Sequence, residues 1–423
     1  MEEDQYKISQ LTDHLFRQQS GKMVAVLTKI FGTENLQLAE DVVQDTLLQA
    51  METWKLKGAP DNPAAWLYRV AKNKAIDIIR RNKFSVQYDF SDNERALLQS
   101  EYTLNTVMDG FWKEEIIKDD QLRMMFACCQ PAISEEGQIA LILKTLCGFS
   151  TAEIAKSFLT SEDTISKRLY RAKEFFRETK MRPEFPPPGS LKTRLESVLK
   201  AIYLIFNEGY NSTHSDSLIR KDLLVQAMYL CKLLCSAEYT ARPEVFAAMA
   251  LMFFHAARVD SRLGDEGEII LLSSQDRSSW DRLLIDEGNV YMNKAAFGDE
   301  LSAYHIEAAI AYEHCSARSF EETNWERILM YYDWLVKINP SAFVLLNRLI
   351  VIYKLYGAEK ALDEIIASDK RREWEKNYLY HSLLGEIYTG IDKGKARSSF
   401  ECAIVLTQSA TEKELLKKKI AAL

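Results

Sequence analysis

Apolar residues recur at helical spacing along almost the whole chain. Leu67, Ala71 and Ala75 share one face of a predicted helix, and Ile165 and Leu169 begin a second stripe of the same kind. No segment alternates apolar and polar residues over the length of a strand. The pattern therefore predicts an all-α protein.

Two interruptions divide this helical pattern. The segment from Arg182 to Gly189 holds four of the nine prolines, which cannot continue a helix. The segment from Phe84 to Asp120 holds nine acidic and three basic residues, which is typical of an exposed connector. We predict a first helical domain, an acidic connector, a second helical domain, a proline-rich linker and a helical extension at residues 1–84, 85–120, 121–182, 183–190 and 191–423.

The extension contains a weak internal repeat. Five residues recur 35 positions later with similar character: Leu349, Ile352, Tyr353, Ala361 and Ile365 become Leu384, Ile387, Tyr388, Ala396 and Phe400. This period is close to that of tetratricopeptide (TPR) repeats, in which helix pairs stack to bury their apolar faces. Two units predict a TPR-like helical-repeat domain, with ordinary helical hairpins as the alternative.

The overall charge of the chain argues against nucleic-acid binding, whereas the charge of a single segment can favour it. The 423 residues carry a net charge of −7, unlike most proteins that bind polyanions. The longest apolar run, Val245 to Phe254, is too short to span a bilayer, so no membrane segment is expected. An acidic N-terminus and seven scattered cysteines favour a cytoplasmic protein with reduced thiols.

One predicted helix is strongly basic. Asn62 and Pro63 form a start signal, and six basic residues face one acidic residue between Ala64 and Lys83. A basic face at helical spacing can follow a phosphate backbone, and an aromatic side chain such as Trp66 can stack on bases. The alternative is a solvated surface.

The preceding helix carries a different exposed strip. Asp41, Gln44, Asp45 and Leu48 align on one face, opposite an apolar face that starts at Val42. Acidic groups beside an exposed leucine suit a basic helical protein partner, although a solvated face has the same pattern. We call these four residues the docking strip.

A helix-turn-helix is predicted around residue 160. Ser150 and Glu153 fit a capping box, and a second helix begins near Glu162 after a short break. Its polar face can reach base edges and phosphates in a major groove. The residues on that face are Thr164, Lys167, Arg168 and Arg171.

Together these segments resemble the sigma-70 family of bacterial RNA polymerase sigma factors, in the small extracytoplasmic-function (ECF) group. Residues 39–46 look like the family's region 2.2, residues 65–81 like regions 2.3 to 2.4, and residues 149–177 like region 4.2. Residues 203–210 and 275–282 look like a subgroup with a long TPR-like extension. The resemblance implies two small helical sigma domains, a region 2 bundle and a region 4 helix-turn-helix, followed by that extension.

The resemblance also implies partners and roles. The docking strip would bind the coiled-coil of the polymerase's largest subunit, the second domain its flap, and Thr164, Lys167, Arg168 and Arg171 the promoter's −35 element. The −10 element, with one base flipped out, would be bound by Asp61, Asn62, Trp66, Arg69, Lys72, Asn73, Arg80 and Arg81. The acidic connector would lie in the polymerase's nucleic-acid path. No catalytic residue, metal or cofactor is implied.

Two other functions compete with this interpretation. A helix-turn-helix regulator with a protein-interaction or ligand-sensing extension would bind duplex DNA without polymerase. The extension could also host an enzyme or ligand site, because the charged residues between Arg258 and Arg282 are dense enough to hold a metal or a small anion. That segment matches no metal or phosphate-loop motif, so salt bridges fixing helix ends are the simpler explanation, and His255, His305 and His314 are expected in the interior. For the extension as a whole we expect a regulatory interaction domain, with a regulatory protein as one possible partner.

Overall fold

The structure is a computed structural model that describes residues 2–81, 108–158, 160–211, 219–264, 267–407 and 409–423, with the side chains of the first helix described from Leu15. The chain divides into two units, Met1–Leu204 and Ile205–Leu423. Helices form nearly all of the regular structure in these ranges, where the β features amount to one isolated bridge between Leu263 and Ile269. The predicted all-α class is confirmed.

Three long helices open the first unit: α1 (Glu2–Phe31), α2 (Leu36–Lys57) and α3 (Pro63–Arg81). The central helix is α1, which packs on α2, α3 and later helices of this unit. Its residues from Met23 to Phe31 are buried almost without interruption. The turn into α2 uses Gly32, whose φ of 87° favours glycine.

The next helix, α4 (Glu114–Cys128), begins earlier than the sequence indicates. Residues 114–120, which the charge count assigns to the acidic connector, form its first two turns. They are helical because Ile117 continues the apolar stripe into the core, where it is fully buried. Most of the predicted connector, residues 82–107, lies outside the described residues.

The helix-turn-helix follows α5 (Glu135–Thr145) and consists of α6 (Thr151–Ser157) and α7 (Glu162–Thr179). The predicted capping box is present: Ser150 Oγ accepts from the Glu153 backbone N–H, and the Glu153 carboxylate accepts from the Ser150 N–H. Ser161 caps the start of α7. Both helix starts agree with the sequence.

A long helix, α8 (Pro188–Tyr210), follows the proline-rich segment, and the division between the two units falls inside it. Its first half belongs to the first unit. There Arg194 donates to the Phe126 carbonyl and to Gln130 Oε1, and Lys200 pairs with Glu135 at 2.8 Å. The sequence places a linker at 183–190, whereas the structural division lies between residues 204 and 205.

The second unit continues as helices that pack mainly on their neighbours along the chain. They are α9 (Lys221–Ser236), α10 (Pro243–Ala256), α11 (Arg282–Ala295), α12 (Ala303–Ser316), α13 (Trp325–Ile338), α14 (Ala342–Ala367), α15 (Arg371–Trp374), α16 (Tyr378–Thr389), α17 (Lys393–Leu406) and α18 (Ala410–Ala421). The longest apolar run of the sequence forms α10, which is buried from Ala247 to Phe254. No helix within the described ranges has the length and apolar character to cross a membrane.

The two sets of repeat residues lie in successive helical hairpins. The first set lies on α14, which is kinked at Gly357 (φ 83°), and the second lies on α16 and α17. A shared core contains Leu349 and Ile365 from the first set and Ile387 from the second. Helices α16 and α17 cross so closely that a Cβ at position 385 would lie 2.4 Å from the Phe400 ring. Helical hairpins thus account for the repeat.

Candidate polymerase and DNA-binding faces

The docking strip is fully presented to solvent on α2. Asp41, Gln44, Asp45 and Leu48 are all exposed, and 58% of Leu48 is accessible. The opposite face of the helix is buried through Val42, Val43, Thr46 and Ala50. Leu48 is thus an apolar side chain, close to carboxylates, that the fold leaves largely unburied.

The start of α3 has the local geometry that the sequence predicts. Asn62 Oδ1 accepts a hydrogen bond of 3.0 Å from the Ala65 backbone N–H, and Pro63 occupies the first helical position. Helix α2 ends at Gly58, whose φ is 79°. The loop between the helices is therefore held at both ends and leaves Asp61 and Asn62 exposed.

The basic face of α3 is exposed at Arg69, Asn73, Arg80 and Arg81. Lys72 differs, because its ammonium pairs with Asp109 at 2.6 Å and only 15% of its side chain is accessible. The pattern along α3 could not reveal a partner 37 residues away. Lys72 is thus engaged within the fold, whereas the other four side chains are accessible.

Trp66 lies in an aromatic group at the base of the same helix. Its ring meets Trp54 edge to face with 5.4 Å between centroids, and Trp54 meets Phe16 at 5.5 Å. Trp66 remains half-buried. Part of its ring therefore packs α3 against α2, and the remainder is accessible.

The outward face of α7 is polar and accessible. Lys167 and Arg171 are exposed, while Thr164 and Arg168 are partly exposed. The opposite face is buried through Ile165, Leu169, Ala172 and Phe176. Asp163 pairs with Lys167 at 2.6 Å, but both side chains are about 70% accessible, so solvent and DNA phosphates can compete for this lysine.

The first three helices and the helix-turn-helix contact each other directly. Lys173 on α7 forms an ion pair of 2.6 Å with Glu40 on α2. It also donates a hydrogen bond of 2.7 Å to Gln37 on the same helix. Arg17 on α1 pairs with Glu153 at 2.6 Å and lies 4.4 Å from the centroid of the Phe149 ring. The helix of the docking strip and the helix of the polar face are thus in contact within one unit, which the sequence pattern did not indicate.

A buried ion pair between Asp120 and Lys29 joins α4 to α1. Asp120 is 1% exposed, pairs with Lys29 at 2.6 Å, and leaves its second oxygen without a partner among the described groups. Burial raises the pKa of Asp120 to about 6, although the Lys29 ammonium acts in the opposite direction. The folded chain therefore holds this proton to higher pH than the unfolded chain does.

We expect Asp120→Asn to reduce the dependence of stability on pH. Because the folded-state pKa is raised, the stabilisation linked to this proton is complete below pH 3.8 and is lost as the pH rises through about 6. Between pH 4.5 and 7 the wild type should lose about 2 kcal/mol relative to the variant. Urea unfolding at the two pH values measures this difference, with Asp119→Asn as the control at a partly exposed carboxylate. If the free energy of unfolding changes equally with pH in all three proteins, the prediction is contradicted.

No group of three or more histidine, cysteine or acidic side chains within the described ranges is arranged to hold a metal ion. The cysteines are free thiols, and burial raises the pKa of Cys128 to about 12. Neutral thiols of this kind act as small apolar side chains.

Comparisons with known families match three parts of the chain. Residues 15–85 match the family described as Sigma-70 region 2, and residues 125–176 match Sigma-70, region 4. Residues 194–296 match a family of unknown function, DUF6596. No solved structure matches the chain.

Individual relatives agree with these matches. The chain is 33% identical over 387 residues to an uncharacterized protein of Rhizobium meliloti, across 91% of this chain and 90% of that protein. It is 32% identical over 143 residues to the ECF RNA polymerase sigma factor SigL of Mycobacterium tuberculosis, across 33% of this chain and 73% of SigL. A probable RNA polymerase sigma factor of Haemophilus influenzae is 24% identical over 150 residues, across 32% of this chain and 73% of that protein. With both sigma regions present in order on exposed, capped helices, the chain belongs to the sigma-70 family of RNA polymerase sigma factors, in the ECF group, and carries a helical C-terminal extension.

Proposed function

We propose that this sigma factor docks on polymerase through α2 and reads the two promoter elements with α3 and α7. Sigma factors bind core polymerase and promoter DNA in transcription initiation and are not themselves enzymes. The observation that carries the finer assignment is that each of the three helices presents an exposed polar face to solvent and buries its opposite face.

The docking strip suits a basic helical partner, which we propose is the coiled-coil of the largest polymerase subunit. Asp45 forms no described ion pair and Leu48 is exposed. A partner can therefore bind both side chains without breaking a described interaction of the fold. Carboxylates at the rim of such a contact steer association, and the accessible Leu48 supplies buried apolar area. The flap of the polymerase is the proposed contact of the helix-turn-helix unit.

The −10 element is the proposed ligand of α3 and the loop before it. Flipping a base costs a few kcal/mol, which cationic and aromatic contacts with the exposed strand offset. Arg69, Asn73, Arg80 and Arg81 are accessible for those contacts. The exposed Asp61 and Asn62 are proposed to lie beside the flipped base, and half-buried Trp66 offers a ring edge. Lys72 can contribute only by exchanging Asp109 for a phosphate.

The −35 element is the proposed ligand of α7. The helix starts at the Ser161 cap, and Thr164, whose hydroxyl lies 2.8 Å from Ser161 Oγ, is in its first turn, where recognition helices meet bases. Lys167, Arg168 and Arg171 follow on the same side and can bond guanine edges or phosphates.

The extension is proposed to regulate the factor in cis, from the cytoplasm where the polymerase works. Its stacked hairpins provide surfaces for a protein or a ligand, as helical-repeat arrays do. A separate unit following two complete sigma regions supports this role.

Run-off transcription with purified core polymerase tests the proposal. We expect the full chain to bind promoter duplex weakly alone and to direct specific transcripts once core is added, whereas an ordinary helix-turn-helix regulator would bind tightly alone and direct none. A chain ended after Asn211, which keeps the α8 contacts of Arg194, should still transcribe but at a level changed severalfold. Unchanged activity and unchanged partner binding in the truncated chain would contradict the regulatory role.

A further inference from the structure

Three arginines gather in the extension without an acidic partner. Arg258 follows α10, Arg262 ends a short 3-10 helix, and Arg277 begins another. Within the described part of the chain, none of the three forms an ion pair with a carboxylate. The density of charges in this segment predicted salt bridges, and for these arginines that prediction is wrong.

Three described acidic residues of the same segment have other partners. Asp276 accepts from the Ser278 N–H and hydroxyl, and Asp281 caps the start of α11. Asp260 pairs with Lys221 at 2.5 Å on the surface. The three arginines therefore have no ion-paired carboxylate within the described residues, although the exposed Glu321 acts on Arg277 through its charge.

The three guanidinium groups belong to one cluster with aromatic walls. Arg258 and Arg277 lie 5.7 Å and 5.2 Å from the centroid of the same Trp280 ring. Arg262 lies 3.9 Å from the centroid of Tyr210, whose ring is 4.8 Å from that of His255. Trp280 is 2% exposed, so this is an interior cluster.

Several polar atoms of the cluster are buried and unpaired. Arg277 is 5% exposed and fixed by the carbonyls of His314 and Ala317 and by the hydroxyl of Thr323, yet its Nε–H has no acceptor. The same holds within the described residues for five more atoms: Arg258 Nε, Trp280 Nε1, Tyr210 Oη, His255 Nδ1 and His314 Nδ1. The Arg258 side chain has no described hydrogen-bond acceptor. Buried donors of this kind are costly unless a ligand satisfies them.

The two histidines respond to this charge. Burial, with the neighbouring arginines adding to it, lowers the pKa of both His255 and His314 to about 3. Both imidazoles are therefore neutral, and each can donate one N–H. A bound anion would raise both pKa values, which makes the histidines reporters of occupancy.

We propose that this arginine–histidine cluster is a binding site for a phosphate group, either free or carried by a small phosphomonoester. Guanidinium groups bind phosphate through charge-assisted, often bidentate hydrogen bonds. A dianion balances more of the three positive charges than a carboxylate does. The unpaired atoms each expose less than 1 Å², so a protein surface cannot reach them, and a small ligand reaches them only by displacing the side chains around them. The site stands independently of the role proposed for the extension.

Thermal unfolding of the full chain tests the site with inorganic phosphate, glycerol 3-phosphate and acetate at constant ionic strength. We expect a saturable rise in the Tm with one or both phosphates and none with acetate. Inorganic phosphate alone would identify the free ion as the ligand, and glycerol 3-phosphate alone would identify a phosphomonoester. Because phosphate also stabilises proteins non-specifically, the variants described next separate the two effects.

Arg258→Met is the informative variant because Arg258 bonds no described group. Without phosphate, its Tm should equal or exceed that of the wild type, since a partly buried cation without a described side-chain hydrogen bond is removed. Its phosphate affinity should fall about tenfold or more. Arg318→Met, at an exposed arginine nearby, should keep the wild-type response.

Three results would overturn the proposal. The first is an equal phosphate-induced rise in Tm in the wild type and Arg258→Met, and the second is a lower Tm of that variant in phosphate-free buffer. The third is that phosphate leaves the NMR signals of the wild-type histidines unchanged. The last measurement uses side-chain NMR of His255 and His314 in the unmodified protein. It applies even if Arg258→Met fails to fold.

Discussion

Asp45→Arg should reduce run-off transcription by about tenfold or more while leaving the fold intact. Asp45 is exposed on α2 and makes no described contact, so the substitution costs little stability. At the interface it replaces an attraction to a basic helix with a like-charge contact, which costs several kcal/mol. Affinity for core polymerase, measured by fluorescence titration, should fall by the same factor as activity.

Glu136→Arg is the matched control for this charge reversal. Glu136 is exposed in the same unit, on α5, away from the docking strip. Its variant changes the net charge equally and should transcribe normally. Full activity of Asp45→Arg would remove the docking assignment, and equal losses in both variants would show a general charge effect.

Arg171→Ala should weaken the promoter complex of the holoenzyme by roughly 5- to 100-fold, because one bidentate contact to a base is worth about 1–3 kcal/mol. Arg171 is exposed on the outward face of α7 and no ion pair restrains it in the described structure. Mobility-shift titration on promoters with single −35 substitutions measures the effect. Loss of discrimination at one base pair identifies a base contact, whereas uniform weakening with a smaller salt slope identifies a phosphate contact.

Arg177→Ala is the control on the same helix. Arg177 is exposed but lies on another side, 5.4 Å from the centroid of Tyr170. Its removal should change affinity by less than about threefold, as expected for a peripheral charge. A larger loss at Arg177 than at Arg171 would place the DNA on a different face of α7.

Local signals in the sequence predicted the local structure well. The caps at Asn62 and Ser150 act within three residues of themselves, so reading them needs no knowledge of the fold. The exposed faces of α2 and α7 followed from helical spacing for the same reason. The family resemblance then supplied the order of the two sigma regions.

Contacts between distant segments could not be predicted in this way. Lys72 and Asp109, or Glu40 and Lys173, carry no pattern that marks them as partners. Charge counting also failed at residues 114–120, because burial of Ile117 outweighs an acidic surface. In the extension, counting opposite charges suggested salt bridges, whereas Asp276 and Asp281 accept hydrogen bonds from backbone N–H groups at helix starts.

The contacts between α2 and α7 limit the length of DNA that the first unit can span. A compact unit of about 200 residues has a radius of gyration near 17 Å and is roughly 45 Å across. Promoter positions −10 and −35 lie 25 base pairs apart, which is about 85 Å along B-form DNA. A unit of that size cannot touch both elements on straight DNA. The Glu40–Lys173 and Arg17–Glu153 pairs must therefore break when one molecule contacts both proposed promoter elements.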